Sequence, residues 1–354
     1  MIIEQILDLA RWAPSGDNTQ PWRFEIISES HLAVHGFDTR RDCIYDFLGH
    51  GSQIAMGALI ENICLAASGH GLRAEVLLRT ESPEEKPVFD IHLLEDPAVK
   101  SSPLLPYILE RCVQRRPYTT RPIKSEVMSA LSESVGPHFE VRWIEGLSGK
   151  LEMARLTSSS GKLRLTIPEA YEVHKKIIQW DANQSEDRVP DQAIGLDGLS
   201  LHFMKWVMGN WKRVEFFNKF LAGTLLPRIQ LDIIPALACA AHFFIVADKK
   251  PETLENYVLS GRAVQRFWLT ATKLGLQLQP EMSPLIFRNY AVNGVSFSRK
   301  AGADSAAKEI AMELDCLAGS TDNGNRAVFM GRIGFGKKPK ARSTRLSLKH
   351  LLRT

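Results

Sequence analysis

The stretch Arg11-Trp12-Ala13-Pro14-Ser15-Gly16-Asp17-Asn18-Thr19-Gln20-Pro21-Trp22-Arg23-Phe24 joins two segments of different character. Before it, apolar residues at helical spacing predict an amphipathic helix from Ile3 to Ala10, which Pro14 and Gly16 cannot continue. From Trp22 onward, aromatic residues alternate with charged ones, which is typical of a strand. The loop between them offers a hydroxyl, two amides and free backbone N–H groups. These groups could bind a polar planar ring system, although an ordinary turn after a helix would contain the same residues.

The same stretch resembles the Arg-x-Ala-Pro-Ser-x-x-Asn-x-Gln-Pro-Trp-x-Phe signature of the FMN-dependent nitroreductase superfamily, with nine matching positions in one window. In that family the loop contacts a flavin that lies at a dimer interface. The resemblance implies that Trp22 packs beneath the loop. It also implies that the following residues contact the flavin: Arg11, Pro14, Ser15, Asn18 and Gln20.

Length and composition set the class of protein. A chain of 354 residues exceeds one ordinary domain, so two domains or one large composite unit are expected. Hydrophobic content of 44% and charged content of 24% are those of a globular protein. A formal net charge of +4 is too small to indicate a nucleic-acid partner.

The five cysteines and ten histidines indicate neither a disulfide framework nor a metal site, because they are scattered and include no Cys-x-x-Cys pair. Glu4 and Asp8 in the first helix argue against a signal peptide. No apolar run approaches the ~18 residues that a transmembrane helix needs. We therefore expect a cytoplasmic protein with free thiols and no membrane partner.

Hydrophobic periodicity predicts alternating helices and strands along the chain. Beyond the opening helix and a hairpin over 24–37, we expect helices over 51–71, 109–116 and 261–275, a helix from Ser125, and a largely helical region over 151–228 that is interrupted over 187–198. Strands are expected over 73–78, 88–94, 139–144, 238–247 and 327–332.

An internal sequence repeat supports a duplicated architecture. Gly57, Leu65-Ala66-Ala67 and Gly71-Leu72 recur as Gly261, Leu269-Thr270-Ala271 and Gly275-Leu276, at a constant offset of 204 residues. Because Leu, Ala and Gly are common in helices, chance similarity stays open on this evidence alone.

The second half contains a segment, Arg115-Arg116-Pro117-Tyr118-Thr119-Thr120-Arg121, that is similar to the opening Arg-Arg-Ser/Thr-x-Arg of the family. The resemblance implies cofactor contacts from Arg115, Arg116, Thr119 and Arg121. Arginine forms bidentate, charge-assisted bonds to a phosphate. Pro117 and Tyr118 disturb the spacing, so which of the two adjacent arginines faces the cofactor stays open. The alternative is a solvated helix end that the helix dipole favours.

Two further segments complete the expected site. The basic tail after Arg332 resembles the family's closing Arg-x-Gly-Tyr-x-x-x-Pro-x-x-Arg-x-x-Arg pattern, which implies that Arg342 and Arg345 reach the flavin phosphate. A basic interaction tail is the alternative. After the turn at Gly275, Gln279 is implied to lie near the flavin, although a solvent-facing strand edge would carry the same alternation.

The first half has the loop but lacks an Arg-rich opening, whereas the second half has the opening but lacks the loop. This complementarity resembles the twin-domain branch that includes the mycobacterial Acg-type proteins. It implies an α+β nitroreductase-like fold whose two homologous halves form an intrachain pseudo-dimer, with central antiparallel sheets flanked by helices. We expect the first half over 1–100 and the second over 101–354, with a helical lid insert over about 165–228.

The resemblance implies an FMN-binding oxidoreductase that passes hydride from NAD(P)H through the flavin to a nitro, quinone or other small acceptor, in ping-pong fashion. No catalytic side chain is expected, since the flavin carries the chemistry. The alternative is a non-catalytic flavin-storage protein whose lid occludes the cofactor. The chain is expected to be monomeric as an internal pseudo-dimer, with further pairing left open.

Overall fold

The computed structural model describes residues 1–353 and has an α+β architecture with two four-stranded antiparallel sheets. The first part of the chain contains two helices and four strands. In chain order these are α1 (Ile2–Ala10), β1 (Trp22–Ile26), β2 (His31–Gly36), α2 (His50–Ser68), β3 (Leu72–Leu78) and β4 (Val88–Glu95).

The rest of the chain contains twelve more helices and eight more strands within the described residues. They are α3 (Ser125–Ser134), β5 (Phe139–Ile144), α4 (Gly146–Thr166), α5 (Pro168–Ile177), β6 (Ile178–Gln179), β7 (Gln184–Ser185), β8 (Val189–Pro190), α6 (Gly198–Met208), α7 (Trp211–Phe220), α8 (Leu225–Arg228), α9 (Ile234–Leu237), β9 (Ala241–Ala247), α10 (Leu254–Lys273), β10 (Gln277–Pro280), α11 (Ser283–Val292), α12 (Ala303–Leu317), α13 (Thr321–Arg326), β11 (Ala327–Gly334), β12 (Arg342–Ser343) and α14 (Leu348–Leu351). A π-helical turn over Ile229–Ile233 joins α8 to α9.

The two large sheets share one strand order. The first is β1-β2-β4-β3 and the second is β5-β9-β11-β10, so each places its strands first, second, fourth and third, all antiparallel. The alternation at the start of β1 buries Trp22 and Phe24 completely in the first core. Strands β9 and β11 are buried along their whole length, because helices cover both faces of the second sheet.

Helices α2 and α10 cross in close contact at Gly57 and Gly261, the two glycines of the internal sequence repeat. A Cβ on Gly57 would overlap the carbonyl oxygen of Val258, and a Cβ on Gly261 would overlap the carbonyl oxygen of Ile54. Residues 54 and 258, like 57 and 261, are 204 apart, so the contact is reciprocal. Only glycine lets two helix backbones approach this closely.

The prediction of a helix over 109–116 is wrong. This segment is extended, and Val113 forms a parallel bridge with Leu278 at the edge of β10. The largely helical region expected over 151–228 is also interrupted more widely than expected, because β6, β7 and β8 occupy part of it. Both segments pair with strands distant in sequence, which local periodicity does not record.

The C-terminal segment returns to the first sheet. Leu352 bridges Phe24, and the N–H of Arg353 donates to the Phe24 carbonyl at 2.7 Å. This path brings residues 342–345 beside the loop that contains Pro14 and Asn18.

No single helix within residues 1–353 has the length and hydropathy to cross a membrane. The pair Trp211–Phe220 and Leu225–Leu237, bent by 85°, meets both criteria only when the two helices are taken together.

Candidate functional site

A cavity of about 1310 Å³ lies between the opening loop, the first half of α2, the segment 111–115, residues 342–345, the helices α6 to α8 and the π-helical turn after them. Pockets for drug-sized ligands usually measure about 300–1,000 Å³. The cavity can therefore hold a large ligand together with a smaller one.

The opening loop is held in a strained conformation on one wall of this cavity. Asp17, Asn18 and Gln20 have φ values of 51°, 63° and 47°, a region that residues other than glycine rarely adopt. The hydroxyl of Ser15 accepts the backbone N–H of Gln20 at 3.0 Å. Pro14, Ser15, Asp17 and Asn18 consequently line the cavity, as the loop resemblance implied for Pro14, Ser15 and Asn18.

Three arginines, which we call the arginine cluster (Arg111, Arg342 and Arg345), meet at the same end of the cavity. Their hydrogen bonds go to backbone carbonyls: Arg111 donates to Trp12 at 3.2 Å, Arg342 to Leu109 at 3.0 Å, and Arg345 to Ala13 at 3.0 Å. Arg111 and Arg345 are buried. Burial and the neighbouring guanidinium of Arg342 lower the pKa of Arg111 to about 10. Burial, then Arg111 and Arg342, hold the pKa of Arg345 well below its usual range.

The arginine cluster differs from three of the four other cavity arginines, all except Arg115, in its lack of counter-charges. Arg164, Arg288 and Arg332 each lie within 4 Å of a carboxylate, at 3.2, 2.6 and 3.6 Å. Within residues 1–353, no carboxylate lies within 4 Å of the three cluster side chains. The buried Nε atoms of Arg111 and Arg342 have no partner in this part of the chain. Three close cations without an anion make a site for a dianion such as a phosphate monoester.

The sequence did not identify Arg111, because it precedes the segment 115–121 that resembles the family's opening motif. In the extended segment, Arg111 packs over the Trp268 ring at 4.5 Å. Arg115 faces the cavity and donates to the Ala193 carbonyl at 3.1 Å, whereas Arg116 is exposed. Arg115 therefore lines the cavity, whereas Arg116 lies outside it.

Five of the expected contact residues do not line the cavity. Thr119 is exposed, and Arg121 stacks over the Phe335 ring at 4.6 Å. Arg11 pairs with Asp8 at 2.7 Å and donates to the Leu346 carbonyl at 2.9 Å. The full set outside the cavity is Arg11, Gln20, Arg116, Thr119 and Arg121, and we do not propose these as contacts.

The two amides of the loop tie other segments to it. The Nδ2 of Asn18 donates to the carbonyls of Glu186 and Thr344 at 3.0 and 3.2 Å. The buried Gln20 donates from Nε2 to Glu186 at 2.8 Å and accepts the N–H of Leu346 at 2.9 Å. These bonds join the short strands of residues 184–190 and the C-terminal segment to the loop.

Replacing Asn18 by glycine removes its side-chain hydrogen bonds without adding backbone strain, since glycine tolerates a positive φ. We expect the amides of Arg342 and Thr344, which donate to Asn183 and Ser185, to exchange about fivefold faster, because one buried hydrogen bond contributes about 1 kcal/mol. Hydrogen exchange by mass spectrometry measures this. Exchange in β3 and β4 serves as the internal control and should not change.

Two orphaned acceptors also lie in the cavity wall. The Oδ1 of Asn18 and the Oε1 of Gln279 are buried without a hydrogen-bond partner within the described residues. Buried polar atoms are normally paired, so each is positioned to accept from a ligand.

Asp17 carries an unfavourable charge in this wall. Burial, opposed by Arg115 and Arg164, raises the pKa of Asp17 from 3.8 to about 6. The ionised carboxylate therefore destabilises the folded protein progressively from pH 3.8 to about 6, and fully above that. Below both pKa values the penalty is absent.

We expect Asp17→Asn to stabilise the flavin-free protein by about 1–2 kcal/mol near pH 7, a range discounted for the partial exposure of this side chain. The gain should vanish toward pH 4. Urea unfolding across this pH range measures it. Exposed Asp42, replaced in the same way, is the matched control; the same pH trend in both variants would contradict the assignment.

Three comparisons with known proteins show what this chain is similar to. A family model described as Nitroreductase family matches residues 2–50, which include the whole opening loop. The uncharacterized protein MT1398 of Mycobacterium tuberculosis (strain CDC 1551 / Oshkosh) is 23% identical over 291 residues, covering 80% of this chain. The matched region spans only 39% of that relative's length.

A crystal structure of a nitroreductase-like family protein from Bacillus cereus is 13% identical and covers 72% of this chain and 96% of that protein, with a TM-score of 0.36. A TM-score this low adds nothing to the assignment. Within the described residues, no group of three or more His, Cys, Asp and Glu side chains could hold a metal ion. The match over residues 2–50 makes the opening part of this chain similar to the nitroreductase family.

Proposed function

We propose that this protein binds FMN in the cavity, with the phosphate at the arginine cluster. The similarity of residues 2–50 to the nitroreductase family supports a flavin-dependent oxidoreductase. The observation that carries the proposal is the set of three arginines that have backbone partners but no carboxylate. A dianionic phosphate would compensate the burial and the mutual repulsion that lower the pKa values of Arg111 and Arg345.

FMN, when bound, supplies hydride transfer between a nicotinamide and an acceptor. The residues of this chain would bind the flavin and orient it. Pro14, Ser15 and Asn18 offer a rigid edge with polar groups, and Gln279 offers a further acceptor in the cavity wall. Ile54, Ala55 and Ala58 on α2 give an apolar wall that excludes water. Burial lowers the pKa of His50 to about 4, so this imidazole stays neutral at neutral pH.

We propose that NAD(P)H is the donor and that a nitro, quinone or other small molecule is the acceptor. The volume of about 1310 Å³ supports this, since it leaves space beside a bound flavin. We also propose that one chain is a cytoplasmic pseudo-dimer of halves 1–100 and 101–354, with a lid near 165–228. The shared strand order and the reciprocal glycine contact support two related halves.

The second candidate function is storage of flavin without turnover. The bonds from Asn18 and Gln20 to Glu186 favour it, because they fasten part of the lid segment to the opening loop. A lid that stays fastened would exclude substrate while retaining the cofactor.

Titration with FMN and then with NADPH or NADH separates these proposals. Bound flavin absorbing at about 450 nm that bleaches with a reduced nicotinamide, and recovers with a quinone or nitro acceptor, supports the oxidoreductase. Bound flavin that neither donor reduces supports storage. Failure to bind FMN at all would overturn both.

A further inference from the structure

Helices α6 to α9 expose a continuous apolar surface, which we call the aromatic face. All four exposed Phe and Trp side chains within residues 1–353 belong to it. Monomeric proteins seldom expose large contiguous apolar patches unless these bind something. Its nine large apolar side chains, each 45–87% exposed, are Leu199, Phe203, Trp206, Phe216, Phe220, Leu221, Leu225, Leu226 and Ile234.

Ring contacts show that the aromatic residues form one cluster rather than scattered exposures. The ring centroids of Phe203 and Phe217 are 5.2 Å apart, and those of Phe216 and Phe220 are 5.3 Å apart. Phe216 and Phe217 join these pairs at 5.9 Å. The cluster therefore links α6 to α7 across the surface.

Basic side chains lie among these rings. Residues 198–237, which carry the aromatic face, contain five Lys and Arg and two acidic residues, Glu215 and the buried Asp232, an excess of three positive charges. The guanidinium of Arg213 lies 4.8 Å from the Trp206 ring, and the ammonium of Lys219 lies 5.2 Å from the Phe220 ring. Lys212 is also exposed.

The combination of exposed aromatic and basic side chains favours one kind of partner. The centres of protein–protein interfaces are depleted in lysine. Helices that lie on a bilayer instead combine exposed Trp, Phe and Leu with Lys and Arg, whose long stems let the charge stay at the headgroups. We propose that the aromatic face docks on an anionic lipid bilayer and inserts its aromatic and leucine side chains at the boundary between headgroups and acyl chains.

The docked face is continuous with the cavity. Phe203, Leu221 and Leu226 are exposed on the aromatic face and also line the cavity. Docking would therefore turn one opening of the cavity toward the bilayer. The proposal rests on this surface and its charge and does not depend on flavin binding.

Flotation with vesicles tests the proposal on the full chain. We expect binding to vesicles of phosphatidylcholine mixed with phosphatidylglycerol, weakening as salt is added, and little binding to phosphatidylcholine alone. Lys212→Ala/Lys219→Ala should weaken binding about fivefold for each lysine. Phe216→Ser/Phe220→Ser should weaken it about tenfold through lost insertion.

Matched controls come from exposed residues elsewhere. Leu147→Ser/Met312→Ser removes side chains that are 71% and 67% exposed, and Lys340→Ala/Lys349→Ala removes two lysines of the C-terminal segment. Both should bind as the parent does, and thermal melting checks that every variant folds. Equal loss in the controls, or no vesicle binding by the parent, would overturn the proposal. A dimer seen by light scattering that dissociates with Phe216→Ser/Phe220→Ser, without vesicle binding, would assign this face to a second copy.

Discussion

Replacing Arg111 and Arg345 together by methionine is expected to weaken FMN binding by a factor of about 10² to 10⁴, since each charge-assisted hydrogen bond contributes about 1.5–3 kcal/mol. Methionine keeps the aliphatic length of the stems, so the packing of Arg111 on Trp268 is largely retained. The flavin-free variant should be at least as stable as the parent, because two buried, mutually repelling charges are removed. Fluorescence titration with FMN and urea unfolding measure the two effects.

Riboflavin lacks the phosphate, so its affinity distinguishes loss of the phosphate site from a general loss of flavin binding. Its affinity should change little in the double variant, so the preference for FMN over riboflavin should collapse. Arg116→Met is the matched control, because Arg116 is exposed and outside the cavity. An unchanged affinity for FMN, or equal losses for FMN and riboflavin, would place the phosphate elsewhere.

The sequence predicts best where local chemistry decides the structure. Pro14 and Gly16 end the first helix, and the alternation from Trp22 onward gives β1, as expected. In both cases the responsible residues lie within a few positions of the feature that they determine. The sequence repeat at an offset of 204 residues adds a long-range relation, since it relates Gly57 to Gly261, which meet where α2 and α10 cross.

The arginine cluster could be predicted only in part, because long-range contacts create it. Arg342 and Arg345 were found through the closing motif, but Arg111 depends on the pairing of Val113 with Leu278, 165 positions later. That pairing overrides the local helical pattern of the segment. The choice between Arg115 and Arg116 also depends on which side of an extended chain faces the cavity.

The reciprocal contact between α2 and α10 leads to the second large effect. We expect Gly57→Ala to destabilise the protein by about 3 kcal/mol, at the upper end of the overpacking range. The added Cβ would overlap the Val258 carbonyl oxygen and would lie 2.9 Å from the Cα of Gly261. These are backbone atoms, so the helices must separate. Denaturant unfolding measures the loss, and Gly198→Ala, with open space around its Cβ, should cost nothing comparable.

The double variant Gly57→Ala/Gly261→Ala tests whether the two glycines act at one crossing. Each added methyl group pushes the same two backbones apart, since each Cβ would lie 2.9 Å from the partner's Cα. Once the helices have separated for the first methyl group, the second meets less overlap, so the double variant should lose clearly less than the sum of the single losses. Additive losses would mean that the two sites relax independently. FMN affinity should fall with the first substitution, because Ile54, Ala55 and Ala58 on α2 line the cavity and move with the helix.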